Sequence, residues 1–465
     1  MKCTKRIASL LLALSATAVT AQISVSPSMD TAIRAAKQKS QTLKQKDIEA
    51  EKITLERQNA LQRYIPRIEA SGSYMYLNSQ ETFDFETVQT PLLGIPLFDG
   101  NRTSSFKGNL LMAGVTAKTV LFSGLQIPYG AKALEQKHIG TQQLAKSTAD
   151  ALTQEVITAF DQLKVLDAVQ KLIDESQKRL QTEAKRVQKG IEQGLAIPLD
   201  MDKIKLAQLE LESKQVELNG NKRLIHQKIQ YLTGLDQLQI SQVTNSFEPF
   251  VLLDAGNNLT ADEKPEVKAL ESFAKAQEYV LKKEKYAFLP QVMALGGVRY
   301  TSLYNADLNL GALPLSGRNF TLGINEITFA PTWFVGLGAK WELFSGLNRT
   351  NKIKQARLDI AATQSKLTDA RDKLMLLLQK NIEHYNVAND KLSINAQKVK
   401  IAHNNLSLAI KQYEEGLIDI SERLQAESDY QKAIIEQAQG IQQQREAAME
   451  VIKVSGNIDN YHIQQ

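Results

Sequence analysis

The longest constraint on this chain is a helical one. No proline lies between Pro128 and Pro198, and a seam of apolar residues runs through that stretch. Ala145, Ala149, Leu152, Val156, Ala159, Leu163 and Leu166 are spaced alternately four and three apart, and the ladder resumes through Ile173, Leu180, Ala184, Val187 and Ile191. That spacing predicts a helix packed lengthwise against others. Covering most of 129–190, it would be about 90 Å long at 1.5 Å per residue, far longer than a compact domain accommodates.

The same plan is written twice. AKTVLFSGL (117–125) and AKWELFSGL (339–347) stand 222 positions apart, and each opens a long polar stretch. After the break GIEQGLAIPLD (190–200) a second seam follows at Ile204, Leu211, Leu218, Ile225 and Leu232. The later half predicts a helix over about 350–413, a break at EEGLIDI (414–420) and a second helix to about 454, with a small-residue stripe at Ala426, Ala433, Gly440 and Ala447. Gly194 and Gly416 share the 222-residue offset, as do LTG (232–234) and VSG (454–456). Landmarks that keep one offset point to a duplicated unit.

Ahead of each LFSG the period changes to two. RIEASGSYMY (67–76) sets Ile68, Ala70, Gly72, Tyr74 and Tyr76 against Arg67, Glu69, Ser71 and Ser73. WFVGLGAKWEL (333–343) sets Trp333, Val335, Leu337, Ala339, Trp341 and Leu343 against Gly336, Gly338, Lys340 and Glu342. Residues 108–122 and 290–304 alternate less cleanly, and 78–107 and 305–332 read as long loops. Such segments suit strands of an outer-membrane barrel, and equally soluble hairpins with one wet face. Four strands close no membrane barrel, since the smallest have about eight, so the barrel reading requires oligomerisation.

The amino terminus MKCTKRIASLLLALSATAVTA reads as a secretory signal peptide, residues 1–21. Its removal takes away Lys2, Lys5 and Arg6, lowering the formal net charge of +5 to +2, and with them the single cysteine, Cys3. Thiol chemistry and disulfides then have no place in the mature protein, and a near-neutral charge argues for no nucleic-acid partner. Nothing later in the sequence is apolar for long enough to span a membrane as a helix, which leaves the closed barrel as the spanning option.

No constellation for catalysis emerges. His138, His226, His384, His403 and His462 lack metal-ligand spacing, and the G-x-G of GLGAK (336–340) sits in a strand pattern without the third glycine of a dinucleotide loop. The expectation is no enzyme, no metal and no cofactor. Glu422 and Gln425, three apart, share one helix face.

On VLFSGL and ELFSGL running into long helices, the breaks EQGLAIPLD and EEGLIDISERLQAESDY, KPEVKAL at 264–270 and the twofold repeat, the chain resembles the TolC family of outer-membrane efflux proteins. The resemblance implies a mixed α and β membrane protein. Its homotrimer would build a 12-strand outer-membrane β-barrel, four strands per chain, continued by a long α-helical barrel across the periplasm. The divisions would be a first repeat at 22–234, an equatorial linker at 235–263, a second repeat at 264–456 and a tail at 457–465. It further implies a passive duct fed by an inner-membrane pump through a periplasmic adaptor, for efflux or secretion. Gly124 and Gly346 would make the strand-to-helix turns. Gly194, Leu195, Gly416 and Leu417 would bind the adaptor. Asp200, Tyr413, Glu422 and Gln425 would form the gate, with Glu422 in a cation-attracting ring. The competing reading is a barrel-anchored surface binding protein or adhesin without transport.

Overall fold

A computed structural model describes residues 28–84, 88–89, 96–98, 101–244, 246–252, 260–312, 318–456 and 458. The expected signal peptide and all of the tail but residue 458 lie outside the described residues. In chain order the elements are α1 (Met29–Lys39), α2 (Gln41–Leu61), β1 (Arg67–Asp84), β2 (Val88–Gln89), β3 (Pro96–Phe98), β4 (Asn101–Phe122), α3 (Gln126–Glu192), α4 (Pro198–Thr233), α5 (Gln237–Gln242), α6 (Pro265–Tyr286), β5 (Gln291–Ala312), β6 (Asn319–Lys340), α7 (Asn348–Glu414) and α8 (Ile420–Ser455).

The long helices repeat in length as well as in place. Both α3 and α7 have 67 residues, and both α4 and α8 have 36. At 1.5 Å per residue a 67-residue helix is about 100 Å long. The helices lie side by side in one layer. Near the sheet α3 sits between α2 and α6, with α7 beyond α6; toward the far end α3 sits between α4 and α8, with α7 beyond α8. The seam explains the packing: Val156, Ala159, Leu163, Ile173, Leu180 and Val187 on α3 are buried, as are Ile204, Leu211, Leu218 and Leu232 on α4. On α8 the small stripe admits its neighbour closely, since a β-carbon on Gly440 would stand 2.8 Å from the Asn395 amide of α7.

The four long strands form one antiparallel sheet in the order β1-β4-β5-β6. One face is apolar across all of them. Ile68, Ala70 and Gly72 face the same side as their partners Ala117, Val115 and Ala113, and Val115 continues through Val298 to Trp333. Trp333, Val335 and Leu337 are 74%, 81% and 75% exposed, which for such side chains requires apolar surroundings. The opposite face carries Arg67, Glu69 and Lys118, with Lys118 Nζ 3.1 Å from Glu69.

The strands are longer than the alternating segments predicted. β4, β5 and β6 each have 22 residues, so much of 78–107 and 305–332, read from sequence as loop, is strand. A membrane crossing needs only about 9–11 tilted residues. Outside a stretch of that length neither face need be apolar, and SQET (79–82) and TSS (103–105) keep the ladder pairing without any alternation to reveal it. At its other end β6 stops at Lys340, short of the expected 343, and Trp341 instead donates from Nε1 to the carbonyl of Phe288 at 2.9 Å.

The main core lies midway along the helices. α1, α5 and the segment 246–252 cover α3, α4, α7 and α8 there, burying Met29, Ala32, Phe160, Ile229, Ile240, Leu252 and Met449. A buried ion pair ties this belt together. Arg445 of α8 donates from Nε to Asp161 of α3 at 2.8 Å and from Nη1 to the carbonyl of Glu248 at 2.7 Å, with its guanidinium 3.9 Å from the Phe250 ring centre. Gln444 and Tyr385 hold the Phe250 backbone from α8 and α7. Truncating one partner would strand the other charge in the core, a loss of about 3–5 kcal/mol. Arg445→Met is therefore expected to lower the unfolding midpoint of the extracted protein, and the added change Asp161→Asn to recover part of that loss; independent, additive effects would show that the pair does not hold the belt.

Candidate functional site

Each strand-to-helix exit depends on a pair of left-handed residues. Gly124 and Leu125 have φ of 61° and 63°, and Gly346 and Leu347 have 58° and 70°. At Gly124 a β-carbon would meet the carbonyl oxygen of Leu289 at 2.9 Å, so glycine is required there for space as well as conformation. The serine of each LFSG adds what sequence reasoning did not assign. Ser123 Oγ accepts from the amide of Ile127 at 3.2 Å, and Ser345 Oγ from that of Arg349 at 3.2 Å, each satisfying an amide of the new helix.

At the far end the two hairpins of helices turn in the same way. Gly194 and Gly416 are left-handed, with φ of 72° and 71°. The amide of Leu195 reaches back to the carbonyl of Gly190 at 2.7 Å, and that of Leu417 to Gln412 at 2.8 Å, the six-to-one bond of a Schellman cap. The chain then re-enters a helix by capping. Asp200 accepts from the amide of Ile197 at 3.3 Å, and Asp419 from that of Glu422 at 3.0 Å. That backbone hydrogen bond holds the Asp419 carboxyl below its usual range.

The expected adaptor residues are brought to one end and left open. Leu195 and Leu417 are 81% and 72% exposed, and nothing lies within 4 Å of where a β-carbon on Gly194 or Gly416 would stand. The expected gate residues are only partly brought together. Tyr413 packs against the small cluster of Val187, Ile204 and Ile420, and no hydrogen bond joins it to Asp200, whose carboxylate serves its own helix. Burial, with the negative charges of Glu183 and Asp200 nearby, raises the Tyr413 phenol. Glu422 and Gln425 are exposed on α8, as expected of one face. Gln425 donates to Asp429 at 3.0 Å, placing a further carboxylate one turn beyond it.

Sequence reasoning missed the most buried charges of the tip. Arg423 of α8 is 1% exposed and lies between Glu183 of α3 at 3.8 Å and Glu427 at 3.4 Å. Glu427 in turn is gripped by Arg179, at 2.8 Å, and by Ser176, also at 2.8 Å. Arg186 links Glu183, at 3.4 Å, to Glu414 in the last turn of α7, at 2.9 Å. The signal was present as charged residues on buried helix faces, which a search for apolar periodicity passes over.

Two edges of the helix layer remain apolar and uncovered. Val387, Ile394, Ile401 and Leu408 of α7 repeat every seven residues and are 50%, 53%, 50% and 55% exposed. Leu199, Leu206, Leu209 and Val216 form a comparable exposed stripe on α4.

Residues 258–457 match the family described as outer membrane efflux protein. No curated protein matches the chain. Among solved structures it is similar to a membrane protein from Pseudomonas aeruginosa, at 13% identity and a TM-score of 0.69 over 92% of this chain and 93% of that one. It is similar to CusC, described with transmembrane channel formation, at 13% identity and a TM-score of 0.69 over 93% and 92%. It is likewise similar to the CmeC outer membrane channel of Campylobacter jejuni, at 12% identity and a TM-score of 0.68 over 92% and 85%. At such identities the likeness is one of fold, running over nearly the whole of each chain. Residues 258–457 are thus an outer membrane efflux protein domain, and the chain has the fold of the outer-membrane channels it matches over nearly all of its length.

Proposed function

We propose that three copies of this chain assemble into one duct through the outer membrane and periplasm. The observation that carries this is the sheet: four strands in the order β1-β4-β5-β6, apolar on one face, with β1 and β6 each unpaired along the outer side. Such a sheet cannot stand in lipid with open edges. Joining β6 of one copy to β1 of the next removes every edge, and three copies give twelve strands. The exposed stripes of α7 and α4, at the two margins of the helix layer, support the same assembly, because the closure that pairs the strands brings these margins together.

The duct is passive, drawing on an inner-membrane pump through a periplasmic adaptor that docks on the helical tip. Leu195 and Leu417 beside Gly194 and Gly416 offer the adaptor an apolar surface with room for a helix side chain. Asp200 and Tyr413 flank the gate. Repeated by threefold symmetry, Glu422 forms a carboxylate ring at the narrow end, which Asp429, held by Gln425, reinforces. The strand extensions beyond the membrane would suit the surface-binding alternative equally well, but helices of 67 residues and matched tips would then have no task.

Two experiments test this reading. Wild-type protein is expected to form trimers that conduct ions in planar bilayers, whereas Ile394→Glu with Ile401→Glu would bury unpaired carboxylates at the proposed seam and yield monomers without conductance. Trimeric, conducting double variants would remove α7 from the interface. At the tip, Gly194→Trp and Gly416→Trp place a bulky side chain outside their own chain. They are expected to keep the trimer and lose cross-linking to the adaptor in cells, and undiminished capture by both would return the glycines to a purely conformational role.

A further inference from the structure

The charged ladder behind the tip is unevenly satisfied, and the unevenness is informative. Its outer rung is complete: Glu427 accepts from Ser176 Oγ at 2.8 Å and from Arg179 through Nη2 at 2.8 Å and Nε at 3.1 Å. Its inner rung is not. Glu183, with its side chain 4% exposed, stands 3.8 Å from Arg423 and 3.4 Å from Arg186 and leaves Oε1 without a hydrogen bond. Arg423 leaves Nε and Nη1 without acceptors. An ionised carboxylate held this way bears a desolvation cost that its partners do not fully offset, whereas a protonated one bears much less.

The groups around Glu183 from every packed element are Arg186 and Arg179 on its own helix, Arg423 and Glu427 on α8, Glu414 and Tyr413 on α7, and Asp200 at the start of α4. Burial is the largest influence and raises the Glu183 carboxyl, against the lowering by Arg186 and Arg423. For Glu427 burial acts in the same direction, but the hydrogen bonds and charge of Arg179 and the Ser176 hydroxyl outweigh it and the carboxyl is lowered. The proton is therefore held more tightly on Glu183 than on Glu427.

We propose that Glu183 is a proton-sensitive positioning residue that sets how firmly the α7–α8 hairpin is held on the α3–α4 hairpin at the tip. The proposal rests on the duct reading for its biological use but not for its physics. A buried carboxyl whose proton is bound more tightly in the packed tip than in an opened, hydrated one stabilises the packed form when protonated. That contribution is complete below the ordinary carboxylate range and is lost as pH rises through the raised value. Acidification thus tightens the tip, and a rise in pH through the raised value loosens it. The ladder acts about three turns behind Gly194, so a small change in how α8 lies on α3 is delivered to both apices.

The test uses the full-length protein, whose single cysteine, Cys3, belongs to the predicted signal peptide. Spin labels on Leu195→Cys and Leu417→Cys report the distance between the two hairpin apices by pulsed electron resonance. The wild-type background is expected to give a shorter and narrower distribution at pH 5 than at pH 8. Glu183→Gln, neutral throughout, is expected to give the pH 5 distribution at both values, and Asp202→Asn, exposed and outside the ladder, to keep the wild-type response. A wild-type distribution identical at the two pH values, or a Glu183→Gln protein that still responds as wild type does, overturns the proposal. Because the readout is a distance, it stands whether or not the same preparations conduct. Absent conductance at every pH would count against the duct and leave the distances to decide the role of Glu183.

Discussion

A strand edge left open in hydrocarbon exposes a row of unpaired N–H and C=O groups, each costing several kcal/mol. β1 and β6 each present such an edge, on a sheet whose face bears Trp333, Val335 and Leu337 nearly bare. Everything else in the molecule is arranged around this. The left-handed pairs at Gly124–Leu125 and Gly346–Leu347 turn the chain from sheet to helix, so that each half of the helix layer continues its own part of the sheet. The midway core then fixes the layer, with Arg445 and Asp161 buried between α8 and α3.

The tip and the membrane end are linked by uninterrupted helices. With 67 residues and no break, α3 and α7 carry the geometry set at the LFSG turns to the apices at Gly194 and Gly416. What differs between the two ends is rigidity of fixation. At the sheet, ladder hydrogen bonds hold each strand, whereas at the tip the small cluster of Val187, Ile204 and Ile420 is reinforced by charges. A rung that is buried yet incompletely bonded is adjustable in a way that an apolar contact is not.

Much of this was legible in the sequence because it obeys simple periods. The α3 seam, the breaks at Gly194 and Gly416 and the alternating runs at 67–76 and 333–343, the latter strand only to Lys340, all follow from where apolar side chains must face. The strand extensions at 79–82 and 103–105 were not legible, since pairing there depends on backbone alone and both faces are polar. Arg423, Glu183 and Glu427 were missed because a charge on a helix is read as solvated by default, and only three-dimensional proximity reveals their burial. Asp200 and Tyr413, implied together as gate residues, make different contacts within one chain: the ring is drawn into the apolar cluster, and the aspartate caps its own helix.

The claim on which the account turns is that β6 of one copy pairs with β1 of the next until the sheet closes. Electron cryomicroscopy of the protein extracted in detergent or held in lipid nanodiscs tests it directly. The account predicts a threefold particle in which twelve strands form an unbroken wall and each Trp333 faces lipid. A particle with free β1 or β6 edges, or with the Trp333 face turned inward, would contradict it.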